Sequence, residues 1–284
     1  MSYTFFIVPI VFALLFALER AAPLRRSTRP LSQRLRVNLL LGVLALAVAA
    51  VLVKPAAGAA LEEASSRGFG LVAALPLPAL AQAVLAFLLL DVTFYYWHRA
   101  NHLWSWLWRF HNVHHIDPDL DVSTSFRFHF VEIGLSALFR VAQIALIGGA
   151  PWVFVAYELV FQLNTLFQHS NLRIPLRVER WLNLVIVTPR MHGIHHSQVR
   201  AETDSNWSSV FSWWDRLHGT LRLDVPQAEI DIGVPGYAGP ADNRVVRVLA
   251  MPFEAQRNYW RKPDGTRTER SGSRAGGNPL RLAP

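Results

Sequence analysis

The sequence predicts an all-α protein: an integral membrane helical bundle of about four or five transmembrane helices carrying a histidine-rich helical cap on the cytoplasmic side. Three observations carry this expectation. Only 17% of the 284 residues are charged and 52% are hydrophobic, where an ordinary soluble domain is roughly 25% charged, and the mean hydropathy is +0.22. The apolar residues are gathered into blocks that approach the ~20 needed to cross a bilayer. The later blocks are followed by polar-aromatic stretches that hold most of the eleven histidines.

The blocks can be taken in order. Phe5 to Leu18 is an uncharged apolar run. It has no preceding basic residues and no following small-residue cleavage site, so it reads as a retained first span and not a signal peptide. Val37 to Val53 is the second span. The third runs from Leu75 to Trp97, interrupted only by Asp91. Glu132 to Ile147 and Trp152 to Phe167 are shorter runs separated by Gly148-Gly149-Ala150-Pro151, which predicts a helical hairpin closed by a tight turn. Residues 1–84 are expected to hold N-terminal spans and loops, 85–222 a domain that carries the histidines, and 223–284 a C-terminal segment. Residues 257–284, rich in Arg, Gly and Pro, read as a disordered tail.

The net charge is +8, and arginine supplies all of the 28 basic residues except Lys54 and Lys262. Lying beside apolar blocks, this basic excess is read as topology and anionic lipid, with no nucleic-acid partner. Arg20, Arg25, Arg26, Arg29, Arg34 and Arg36 sit between the first two spans, whereas the next loop has only Lys54 and Arg67 offset by Glu62 and Glu63. The positive-inside bias puts residues 19–36 in the cytoplasm. His98 and His169 then fall at cytoplasmic span ends. The arginine preference hints at a bacterial inner membrane. Absence of cysteine excludes disulfides, Fe–S clusters and thiolate-ligated haem or zinc.

The histidines are spaced for metal. His98 and His102 are four apart; His111, His114 and His115 stand at i, i+3, i+4, and His192, His195 and His196 repeat the pattern. Residues three and four apart share a helix face, and neutral imidazole suits iron, zinc, copper and nickel. The competing reading, a polar belt at the membrane interface, has no need of this repeat. Eight clustered imidazoles exceed one metal's capacity and suit two. The zinc-protease signature needs Glu after its first histidine, but Asn112 and Gly193 stand there. His218 reads as a satisfied polar residue, while His129 is a possible ligand.

These residues resemble the fatty acid hydroxylase superfamily, also called the sterol desaturase family, whose members are membrane di-iron enzymes with histidine boxes. Asp91 to His102 (DVTFYYWHRANH), His111 to His115 (HNVHH) and Pro189 to His196 (PRMHGIHH) resemble the three boxes in order. FQHSN at 167–171, DSNW at 204–207 and WDRLHGT at 214–220 look like further signatures. The resemblance covers about residues 85–222. It implies two Fe ions and the ligands His98, His102, His111, His114, His115, His169, His192, His195 and His196. Some relatives have a further histidine where this chain has Thr165, so water or Asn164 is expected to complete the set. Phe130 and His218 also depart from the usual pattern.

The implied chemistry is O2-dependent hydroxylation of a C–H bond of a lipid (fatty acyl, sterol or isoprenoid), with desaturation by the same site as the alternative. Redox-inactive zinc cannot supply it. A metal transporter would place its ligands at mid-membrane, and a zinc hydrolase lacks its base. Asp91, Tyr95, Glu132, Asp204 and Asn206, together with Asp215, are expected to orient ligand imidazoles through hydrogen bonds. No dinucleotide fingerprint is present, so electrons are expected from an external ferredoxin, cytochrome or reductase docking on a basic face.

Overall fold

In the computed structural model, residues 2–270 and 282–283 are described. Among them there is no strand, only isolated bridges between loops. Helix α1 (Ser2–Ala21) is followed by α2 (Leu31–Val48), which runs through a π-helical turn (Ala49–Val53) directly into α3 (Lys54–Arg67). Next come α4 (Ala79–Leu103) and α5 (Ser105–His115), then the long hairpin α6 (Phe130–Ile147) and α7 (Pro151–His169). Five short helices complete the chain: α8 (Leu176–Leu182), α9 (Pro189–His195), α10 (Arg200–Thr203), α11 (Trp213–His218) and α12 (Val245–Ala250).

Among the described residues, three helical stretches are long and apolar enough to cross a membrane: Leu31–Arg67, Ala79–Leu103 and Phe130–Ile147. Two boundaries differ from expectation for physical reasons. The second span does not stop at Val53. Pro55 would normally break a helix by opposing the carbonyl four residues back, but the wider π turn just before it absorbs that conflict, and the helix continues to Arg67. The third span runs beyond Trp97 to Leu103, so His98 and His102 both ride on α4. The hairpin turn is as expected, with Gly148 (φ 65) and Gly149 (φ 112) in conformations that favour glycine.

Within the bundle, Ala83, Ala86 and Leu90 of α4 pack on Ile144, Ile147, Val153, Phe154 and Tyr157 of the hairpin. At one end α5, α9 and the C-terminal ends of α4 and α7 come together. The 22–30 loop lies at this same end, with Leu24 and Arg25 bonded to Asn171 and with Thr28 and Arg29 donating to Asp119. Two of the arginines expected to mark topology are buried. Arg34 bridges Asp117 (2.8 Å) and Asp121 (2.6 Å), joining α2 to the turn after α5. Burial alone would raise the Asp117 carboxyl, yet Arg34 and Arg127 hold it down at about 2.

The C-terminal segment packs onto the same end. Val234, Tyr237, Val248 and Met251 share a core with Leu41, Trp108 and Val113. Residues 257–270 also depart from the expected disordered tail, because Trp260 stacks on Trp108 and Arg270 pairs with Glu202 (2.7 Å). Residues 271–281 and 284 of that expected tail lie outside the described residues.

Candidate metal centre

All nine histidines of the expected ligand set meet at the end of the bundle where α4, α5, α7 and α9 converge, and they form two groups. His98, His102, His111, His115 and His195 each offer a nitrogen within 4.8 Å of the others, and so do His114, His169, His192 and His196. Neither HxxHH box stays together. On α5, His111 and His115 serve the first group and His114 the second; on α9 and its C-cap the roles reverse, with His192 and His196 in the second and His195 in the first. The groups adjoin, since the His115 and His196 rings stack at 4.3 Å.

The outer nitrogens of several rings are held by the chain itself. His111 Nδ1 donates to Glu132 Oε1 (2.8 Å), His98 Nδ1 to the Trp207 carbonyl (2.9 Å), His195 Nδ1 to that of Ser205 (2.8 Å) and His169 Nδ1 to that of Thr165 (2.7 Å). Such bonds fix the tautomer and leave Nε2 a lone pair. The Nε2 atoms of His102, His111, His115 and His195 are buried and have no hydrogen-bond partner. Buried polar atoms are seldom left so.

The second group is more crowded. Its Nε2 atoms form a chain, His114 to His169 at 3.0 Å, His169 to His192 at 2.9 Å and His192 to His196 at 3.1 Å. A neutral ring nitrogen has either one proton or one lone pair, and His169 Nδ1 already carries that ring's proton. No distribution of protons therefore gives each of the three contacts its own hydrogen and lone pair. Two nitrogens at right angles about a cation, each at the ~2.1 Å typical of metal–imidazole bonds, would lie roughly 3.0 Å apart. A single cation thus satisfies what hydrogen bonding cannot, and the residues present fit a metal at each group.

Burial pushes His114, His115, His192 and His196 well below the ordinary imidazole range, and His195 down to about 3. At neutral pH these rings are uncharged, the form that ligates.

The remaining expected residues divide. Glu132 orients an imidazole, that of His111. Asp91 does not. It accepts from the Phe211 amide (3.0 Å), the Trp214 indole (2.7 Å) and the Tyr157 hydroxyl (3.3 Å), tying the segment before α11 to α4 and α7. Its spacing from His98 put both on one helical face, but Asp91 lies nearly two turns away, about 10 Å along the axis. Tyr95 bonds Thr220 (3.1 Å) and stacks on His218, and Asp204 is taken up by Arg200 (3.2 Å). His129 caps α6: its Nδ1 accepts from the Val131 amide and its Nε2 donates to the Leu249 carbonyl, so it stands outside both groups. The Asn164 amide is committed to the Ser209 carbonyl (2.7 Å).

Asn206 and Asp215 act through the backbone. Asn206 is the one non-glycine described residue at positive φ (55), and it lies between Ser205 and Trp207, whose carbonyls receive His195 and His98. Its side chain bonds the Met191 and Arg222 carbonyls (2.9 and 2.7 Å). Asp215 accepts from the Trp207 and Ser208 amides (3.0 and 2.9 Å). Sequence reasoning missed the three carbonyl acceptors, because every residue has a carbonyl and only the fold selects which ones matter.

An all-helical chain with membrane-length helices, closing nine imidazoles into two adjoining groups, is an integral membrane protein with two histidine groups that could each hold a metal ion. Residues 83–220, just under half of the chain, match the model of the fatty acid hydroxylase family, whose members are iron-dependent. Among relatives, an ornithine lipid hydroxylase of Rhizobium tropici is 35% identical over 180 residues, 62% of this chain and 51% of its own length. An alkylglycerol monooxygenase of Danio rerio is 31% identical over 62% of this chain and 38% of its own. Human cholesterol 25-hydroxylase is 28% identical over 48% and 49%. The chain thus spans about half the length, or less, of these relatives. No solved structure matches it.

Proposed function

We propose that the chain is a membrane-bound di-iron oxygenase that uses O2 and external electrons to hydroxylate a C–H bond of a lipid. The observation that carries this reading is the pair of adjoining nitrogen groups, five and four, interleaved through His114–His115 and His195–His196. His98, His102, His111, His115 and His195 would hold one iron; His114, His169, His192 and His196 would hold the other. When bound, two redox-active ions supply the activation of O2 that oxidising an unactivated C–H bond requires.

The chain's own contribution is positional. Glu132 and the carbonyls of Ser205, Trp207 and Thr165 keep Nδ1 protonated and aim Nε2 inward. The four-membered group has one nitrogen fewer, which leaves room there for a ligand that the chain does not provide. Nine imidazoles at helix ends, fixed by outer hydrogen bonds, favour this reading over metal transport, which would require ligands that let go.

The printed activities of the relatives, hydroxylation of ornithine lipid and cholesterol and oxygenation of alkylglycerol, support hydroxylation above desaturation. The basic 19–36 loop lies at the histidine end, which favours a cytoplasmic site in a bacterial inner membrane. Two tests apply together: metal analysis of anaerobically purified protein, and lipid mass spectrometry of cells with and without the gene. About two irons per chain and a lipid lighter by one oxygen in the deletion are expected. Stoichiometric zinc in active protein, or an unchanged lipid profile, would overturn the proposal.

A further inference from the structure

Next to the five-histidine group lies a tryptophan that no metal role explains. Trp108 is buried, and its ring centroid is 4.9 Å from His102 and 5.3 Å from His115. Its indole N–H has no hydrogen-bond partner, although a buried tryptophan usually finds one. A phenylalanine or leucine would fill the same space without leaving an unsatisfied donor. On its other side Trp108 stacks on Trp260, with ring centroids 5.8 Å apart and planes 22° apart, and it meets Tyr259 at 5.9 Å. Trp260 is part-exposed and lies outside every membrane-length helix. Two ring-to-ring contacts therefore lead from the surface to two histidines of the group.

The surroundings of Trp260 are basic. Arg261 and Lys262 follow it and are exposed, with Asp264 the one carboxylate in their turn and close enough to Lys262 to feel its charge, and Arg109 is close enough to act on the Tyr259 phenol. None of these three basic residues makes an ion pair with a carboxylate among the described residues, whereas Arg257 nearby is neutralised by Asp242 (2.9 Å). A second aromatic series leaves the same group through Trp207, Tyr95 and Tyr96 (Trp207–Tyr95 6.3 Å, Tyr95–Tyr96 5.4 Å). It surfaces on α4, a helix that can cross the membrane, where a water-borne protein does not reach.

We propose that the Trp260 face is the docking site for an acidic one-electron carrier protein, and that Trp260 and Trp108 pass its electron to the five-histidine group. The step moves one electron: the reduced carrier is oxidised, a bound ferric ion is reduced, and no covalent bond forms or breaks. This inference rests on the di-iron reading. It assigns a role to the C-terminal segment that the family match at 83–220 does not cover.

The test uses the absence of cysteine, so that one introduced thiol carries one ruthenium photoreductant on the iron-loaded full chain. With the label at Lys262→Cys, a Trp260→Leu change is expected to slow flash-induced iron reduction severalfold, and Trp260→Phe to restore most of the rate. With the label at Arg200→Cys, away from the stack, Trp260→Leu is expected to change nothing. Equal rates with and without Trp260 in the first background overturn the route. A label that never delivers an electron to chains with full iron overturns the redox reading and the route with it. The partner's chemistry is tested on metal-free protein with a plant-type [2Fe–2S] ferredoxin as probe. The double change Arg261→Glu, Lys262→Glu should weaken binding by about tenfold or more, and added salt should weaken binding of the unaltered chain. Failure of the unaltered chain to bind the ferredoxin, or equal binding by both proteins, overturns the docking site.

Discussion

His114 and His115 are consecutive in the chain and belong to different nitrogen groups: His114 Nε2 lies 3.0 Å from His169 Nε2, while the His115 ring sits 4.7 Å from that of His102. Neighbouring residues on a helix point about 100° apart, so one turn of α5 can face two positions at once. His195 and His196 do the same from the opposite side. The two groups are thus coupled covalently at two places, and a shift of either box moves both.

Single substitutions should separate the groups. His114→Ala removes a nitrogen from the four-membered group and His115→Ala from the five-membered one. Each variant is expected to hold about one metal per chain where the unaltered protein holds two, read by elemental analysis against protein concentration. Loss of both metals, or of neither, in both variants would contradict the division.

Glu132→Ala leaves His111 Nδ1 without its buried acceptor at 2.8 Å. Removing such an outer partner typically lowers metal affinity by about 10–100-fold. Competition with a chelator should show that loss, with Glu132→Gln falling between the two because it keeps an oxygen acceptor without the charge.

Asp91→Ala should behave differently. It strands the Phe211 amide, the Trp214 indole and the Tyr157 hydroxyl, at about 1–3 kcal/mol for each buried donor left unmade. A large drop in melting temperature is expected, with metal content per folded chain kept. Normal stability with metal lost would restore the orienting role that its sequence position suggests.

Asn206 tests backbone control of the site. A β-branched residue at φ 55 is strained, by about 1–3 kcal/mol, so Asn206→Val should loosen the Ser205 and Trp207 carbonyls and weaken metal binding. Asn206→Gly keeps the conformation but loses the amide bonds to Met191 and Arg222. It should retain more metal than the valine variant in the same titration.

The metal-free protein should lose stability in acid. His192, His195 and His196 titrate well below the ordinary 6.5 of an unfolded imidazole, His195 near 3, because burial disfavours their charged form. Between those values the unfolded chain binds more protons than the folded one, so stability rises with pH there. Melting temperature in detergent should be flat above about pH 7 and fall as pH drops towards 5. A melting temperature that rises on acidification would contradict buried neutral rings.

Much was legible in the residues themselves. Apolar blocks gave the helices because backbone groups in lipid must bond within their own segment, and histidines three and four apart gave helical faces. The nine histidines, the hairpin glycines and Glu132 were all visible as candidates. The orienting role expected of Asp91 and the open question of His129 turn on one fact: sequence position fixes where a side chain sits on its own element but not what stands opposite. Asp91 meets the 211–214 segment, more than a hundred residues later in the chain, and His129 meets Leu249.

The chain's order alone determined that imidazoles would be presented from helix ends, since periodicity is a local property of the backbone. Tertiary packing decided how each box divides between two positions, which carbonyls lock the rings, and that Trp260 lies against Trp108. Those relations depend on helices distant in sequence meeting at one place, and no local rule contains the distance between them.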